Sequence, residues 1–298
     1  MNLKLNLLAV FVVFSFPVLV LAQPPTTGHK YSLNTTPYLA KSLAKSTDSN
    51  NLNIISTAKF ILFHDTNQAL SVIKGANIQD VAQVYLNNLE VSANEVEQIF
   101  KYSPKQKIVL RLMPRYKFVR DLKAPRWANA LYHNHEIIIP LDNGSKNIVK
   151  NNTTLQNTLR HEYTHALISE IAGEKCPAWL DEGLAQMLES KQNNLLAPAL
   201  KNWLATNSSN LSIQKLSTGF INIDQQTASI AYAKSLYATK YLVAKHGMAK
   251  VLIFLKSLKN NTNEELAFKS AFGITLEEFS LALDKSLAQW FNADSNSI

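Results

Sequence analysis

Cysteine is almost absent: Cys176 is the only one in 298 residues. An intramolecular disulfide is therefore impossible, disulfide-stapled scaffolds are excluded, and no cysteine-rich metal cluster can form. Any metal must be held by histidine and carboxylate. Charge is also scarce. Asp, Glu, Lys and Arg make up 17% of the chain, and no run of five or six like charges occurs, which excludes an acidic tail or a basic arm. The excess of 30 basic over 22 acidic residues gives +8. That charge is spread out and comes with no zinc-finger, RRM or basic-helix pattern, so nucleic acid is not an expected partner. Internal repeats are missing, and beyond the N-terminus no apolar stretch approaches the ~20 residues of a spanning helix. What is present in quantity is hydrophobic residues, 46% of the chain, enough to build a core.

The one long apolar run lies at the start, from Leu5 to Leu21. Lys4 before it, Pro17 within it and Val20-Leu21-Ala22 at its end have the form of a signal peptide, residues 1–22, with small residues placed for cleavage after Ala22. Asn6, Ser15 and Pro17 weaken the alternative of an uncleaved anchor, and no cysteine follows the cut to suggest a lipoprotein. The expected location is periplasmic or secreted. Residues 23–57 are rich in Ser, Thr, Asn, Lys and Pro and read as a polar linker. A folded pro-segment is the alternative, with His29 as its only potential metal ligand.

The pattern over residues 58–298 predicts an α+β fold. In residues 58–150, Phe60 to Phe63 reads as a buried strand, Ile78 to Phe100 has apolar residues at helical spacing, Ile108 to Met113 is a second strand, and Ala130 to Pro140 a third. This order suggests a small mixed sheet with a helix packed on it. From residue 151 onward nearly every apolar segment has the helical period. One helix runs from Leu155 to Ile171 and closes at Gly173, and Pro177 opens another through Leu188. Helices over Tyr232 to Ala244 and Val251 to Leu258 follow. Thr275 with Glu278 forms a capping box for a last helix towards Trp290.

The first of those helices contains His161-Glu162-Tyr163-Thr164-His165. Positions i and i+4 share a helix face, so His161 and His165 can offer two imidazole nitrogens to one metal ion. Glu162, about 100° round the helix, is poorly placed as a ligand but close enough to take a proton from an activated water. Trp179-Leu180-Asp181-Glu182-Gly183-Leu184-Ala185 follows on the next helix, where an antiparallel return can bring a carboxylate to the same ion. Two His and one carboxylate leave a tetrahedral position open, as in catalytic rather than structural zinc sites.

His161-Glu162-x-x-His165 and Trp179-Leu180-x-Glu182-Gly183-x-Ala185 resemble the zinc-helix and glutamate-helix motifs of the gluzincin metallopeptidases, more particularly of peptidase MA-like domains. The resemblance implies a gluzincin-like fold with a mostly helical zinc-binding lobe, from about Ala58 to Trp290, and a zinc metallopeptidase acting on peptides or proteins. It implies Zn2+ held by His161, His165 and Glu182, with Glu162 as general base. Two features depart from the group. Its edge strand often reads Gly-x-Tyr before a turn, whereas Ala130-Leu131-Tyr132 here precedes His133-Asn134-His135. The Gly-x-Met-Glu-Asn segment with which related aminopeptidases hold a free amine is missing, so aminopeptidase activity is not expected.

Other residues have competing roles. Tyr232 opens Tyr-Ala-Lys-Ser, which resembles the Tyr-x-x-Ser of peptidase MA-like domains. Its phenol can donate to an oxyanion as a second catalytic residue, or pack in the core. Asp181 is expected to face water. Gln186, one turn beyond Glu182, is either an outer partner of a ligand histidine or part of a polar face. His133 and His135 read as solvated turn residues, and Cys176 as an inert small hydrophobe. A zinc-bearing binding module for a protein or cell-wall partner, without hydrolysis, is the alternative to a peptidase, though a retained Glu162 serves no purpose there.

Overall fold

The computed structural model describes residues 52–67, 69, 77–124, 126, 128–133, 135–142, 145, 152–189, 196–206, 211–218, 225–260 and 263–293. The signal-peptide reading of residues 1–22 and most of the linker reading fall outside these. The end of the linker does not: Leu52–Ser56 forms strand β1, paired antiparallel with β2, Phe60–Asp65. Its polar look has a simple cause. β1 is an edge strand with no side chain fully buried, so it needs few apolar residues.

The sheet continues with β3 (Ile108–Pro114), β4 (Leu131–His133) and β5 (Glu136–Leu141), in the order β1-β2-β3-β5-β4. β2, β3 and β5 are parallel, and β1 and β4 are antiparallel edges. Ala130 to Pro140 is therefore two strands rather than one. The chain reverses where His135 adopts φ 62°, a left-handed conformation more accessible to His than to most side chains, with no glycine or proline to mark the turn. In register, Leu62, Leu110 and Ile137 form one buried row on the main core side. On the opposite face, Leu131 and Ile138 pack with Phe118 of helix α2, Arg115–Leu122.

Helix α1, Ile78–Phe100, has the bounds its spacing predicts. Asn77 caps it by accepting from the Gln79 amide at 3.0 Å, and Ile78, Val81, Ala82, Tyr85, Leu89, Val96 and Phe100 enter the core. Ile99, which fits the apolar spacing, is instead exposed. Helix α3, Asn152–Ala172, packs against α1 on one side and against α4, Ala178–Glu189, on another. Residues 161–168 of α3 are all buried, so the helix is enclosed rather than amphipathic.

The turn from α3 to α4 begins at Gly173 (φ 64°) and Glu174 (φ 62°), whose amides donate to the Ser169 carbonyl at 2.8 and 3.3 Å. Lys259 Nζ donates to the Glu170 carbonyl at 2.8 Å, answering another free carbonyl of the helix end. The remaining described helices are α5 (Ala197–Ala205), α6 (Ile213–Ser217), α7 (Gln225–His246), α8 (Met248–Lys259), α9 (Glu264–Phe272) and α10 (Leu276–Asn292). The Thr275–Glu278 capping box is formed at the start of α10. None of the described helices is long and apolar enough to cross a membrane.

Candidate active site

α3 and α4 meet along the faces that carry the sequence motifs. His161 and His165 lie one turn apart, edge to face, with ring centroids at 4.9 Å, and Glu182 of α4 faces both. His161 Nε2 lies 3.9 Å from Glu182 Oε2, and His165 Nε2 lies 3.9 Å from Glu182 Oε1. One ligand atom from each residue falls within 4.8 Å of the others, and all three residues are buried.

Both Nε2 atoms and both Glu182 oxygens are buried without a hydrogen-bond partner among the described residues. Such groups are costly unless something joins them. Burial holds the Glu182 carboxyl well above the usual range, and Asp181, Glu162 and Glu189 push it further in the same direction. Those three neighbours are all acidic, so a cation at this point would relieve the crowding of carboxylates. Bonds of about 2.1 Å in a tetrahedron put ligand atoms about 3.4 Å apart. The two His–Glu182 separations of 3.9 Å are only about 0.5 Å longer than that, so the donor set fits a metal ion.

Glu162 lies on the same helix and is 2% exposed, with Oε2 unpartnered. Burial pushes its carboxyl up to about 7, against the pull of His161 and of a backbone hydrogen bond from Tyr132 on β4. The edge of the sheet therefore reaches the site directly. Tyr163, between Glu162 and Thr164, points the other way and donates to Glu97 of α1 at 2.6 Å. Glu97 is also held by Lys59 Nζ at 2.8 Å and Ser103 Oγ at 2.6 Å.

The outer nitrogens of both imidazoles are engaged. His165 Nδ1 lies 2.9 Å from Asp181 Oδ1, and His161 Nδ1 lies 3.1 Å from Glu189 Oε2. Asp181 thus does not simply face water as expected, because α4 turns its first-turn carboxylate onto the ring of His165. Residues 161–189 match the family described as the peptidase MA superfamily, as part of a match spanning residues 123–290, more than half of the chain. The chain belongs to the peptidase MA superfamily. No curated protein matches it.

Membership of the peptidase MA superfamily supports a protease in general, with peptides or proteins as substrates, and the superfamily is typically metal-dependent. The match begins after α2 and ends at Trp290. Among the remaining sequence expectations, Tyr232 lies on α7, 8% exposed among core side chains, and its carbonyl accepts from Gln186 Nε2 at 3.3 Å. Gln186 thereby joins α4 to α7. His135 pairs with Glu174 at 3.3 Å and stays exposed in its turn. Cys176 is no part of the ligand cluster, and burial raises its thiol. Sequence reasoning missed Glu189 altogether. Its only signal is its place two helical turns beyond Glu182, on the same face of α4.

Proposed function

We propose that this protein is an exported zinc metallopeptidase that hydrolyses peptide bonds with Glu162 as general base. The observation that carries the reading is the convergence of His161 Nε2, His165 Nε2 and the Glu182 carboxylate, buried and unpartnered, beside a buried Glu162. Two imidazoles and one carboxylate suit zinc, and three protein ligands leave a position open, as catalysis requires. When bound, zinc supplies a Lewis acid that polarises a carbonyl and makes water a nucleophile at neutral pH.

The residues of the chain do the rest. His161 and His165 share one rigid helical face, and Glu182 approaches from the neighbouring helix. Glu162 takes a proton at Oε2 from the attacking water and returns it to the leaving amine, work suited to a carboxyl whose affinity for protons is raised by burial. Tyr232 is the second candidate catalytic residue, as a donor to the tetrahedral oxyanion. Absence of the amine-holding Gly-x-Met-Glu-Asn segment supports an activity other than aminopeptidase, and residues 1–22 support export.

Metal content and cleavage of an unstructured protein, measured on wild type and on Glu162→Gln, test the reading. Wild type should carry one zinc and cleave, and the variant should carry zinc and not cleave. A wild type without zinc, or cleavage that survives the substitution, ends it.

A further inference from the structure

We propose that Glu189 is the positioning residue for His161, and that Arg160 holds Glu189 in place for that purpose; the inference rests on the zinc site proposed above. Glu189 is the last residue of α4, and α3 grips it at two points. Its carboxylate Oε2 lies 3.1 Å from His161 Nδ1, and its backbone carbonyl accepts from Arg160 Nη1 at 3.3 Å. The same guanidinium pairs through Nη2 with Glu95 on α1 and approaches Asn157 Oδ1 at 3.5 Å. Arg160 and His161 are neighbours in sequence, so one short stretch of α3 fixes both ends of this residue.

The location argues for a purpose. A carboxylate in the last turn of a helix opposes the helix dipole, and α4 has no basic residue of its own there to offset it. At this position a lysine or arginine would suit the helix better. The arrangement becomes favourable only through α3: Arg160 answers a free terminal carbonyl, and the carboxylate receives a ring N–H. An imidazole that donates from Nδ1 must present its lone pair at Nε2, and Nε2 is the atom that faces Glu182 Oε2 at 3.9 Å. Glu189 therefore selects the tautomer and the ring rotation that a metal ligand needs.

α4 consequently touches both histidines from outside, through Asp181 and Glu189, and faces them from inside through Glu182. Arg160 adds the link to α1 through Glu95, so the orientation of His161 is tied to the packing of three helices.

The test measures zinc affinity by chelator competition, and the His161 Nδ1–H resonance by NMR, on the purified full chain and two variants. Glu189→Ala should weaken zinc binding by about 10–100-fold and lose the resonance to exchange with solvent. Glu189→Gln keeps an acceptor oxygen and should keep the resonance and recover most of the affinity. Zinc affinity of Glu189→Ala within about twofold of wild type, well below the effect expected of an outer partner, overturns the inference. So does a loss in Glu189→Gln as large as that in Glu189→Ala. Should Glu189→Ala fail to fold, Arg160→Gln carries the test: it leaves Glu189 in the chain but frees the helix end, and an affinity about 10-fold lower is expected. Unchanged affinity there overturns the role given to Arg160. A wild type that takes up no zinc overturns the peptidase reading and this inference with it, whereas zinc-binding wild type matched by Glu189→Ala overturns the inference alone.

Discussion

Gly183 lies hard against the Thr239 side chain, so that α4 meets α7 closely: a Cβ at Gly183 would lie 2.0 Å from Thr239 Oγ1 and 2.4 Å from the backbone carbonyl of Ser235. The glycine after Glu182 is there for closeness, not for an unusual φ. Gly183→Ala must push α7 away or shift α4, and overpacking of this kind costs roughly 1–3 kcal/mol. Chemical denaturation should show that loss, with a further drop in zinc affinity because Glu182 moves with its neighbour. Adding Thr239→Ala should rescue only part of it, since the Ser235 carbonyl stays in the way. Full rescue would show that the backbone contact is unimportant.

The ligand assignment separates three neighbouring carboxylates. Glu182→Gln should abolish most zinc binding and activity together. Glu162→Gln should keep zinc and lose activity alone. Asp181→Asn, which removes charge from the outer partner of His165, should weaken zinc by about 10-fold. Metal analysis beside a peptide-cleavage assay distinguishes them, and equal zinc loss in Glu162→Gln and Glu182→Gln would contradict the assignment.

Tyr232 tests whether α7 contributes to chemistry or only to packing. Tyr232→Phe removes one hydroxyl, so an oxyanion donor should show kcat reduced about 100-fold with zinc content unchanged. A core role predicts unchanged kcat and a small change in melting temperature.

The pH dependence of stability should report Glu97. Burial raises its carboxyl, but hydrogen bonds from Lys59, Ser103 and Tyr163 outweigh burial and leave it below its ordinary 4.5. A folded value below the unfolded one means stability that is present above about 4.5 and lost as pH falls through the folded value. Glu97→Gln should be less stable at neutral pH and should flatten the acid limb of the stability curve. An unchanged acid limb would remove Glu97 from this account.

What could be read from sequence follows from how local each feature is. α1 was legible from its apolar spacing and the start of α10 from its capping box, because each signal lies within the segment itself. The two motif segments were legible for the same reason, since helical geometry alone places His161 above His165. β1 was hidden because an edge strand needs little apolar sequence, and the β4–β5 reversal because His135 makes the left-handed turn without glycine. Asp181 and Glu189 could not be placed: their partners lie 16 and 28 residues away on another helix. No spacing rule gives the crossing of α3 and α4.

The interleaved order β2-β3-β5 bears on any attempt at a minimal catalytic fragment. The family match begins at residue 123, yet β3, the inner neighbour of β5, and α1, the neighbour of α3, both precede it. A fragment cut at that boundary would bare the inner edge of β5 and strip α3 of the Glu97 and Glu95 contacts that brace Tyr163 and Arg160. The motif-bearing helices would remain in the sequence without the wall that holds them upright.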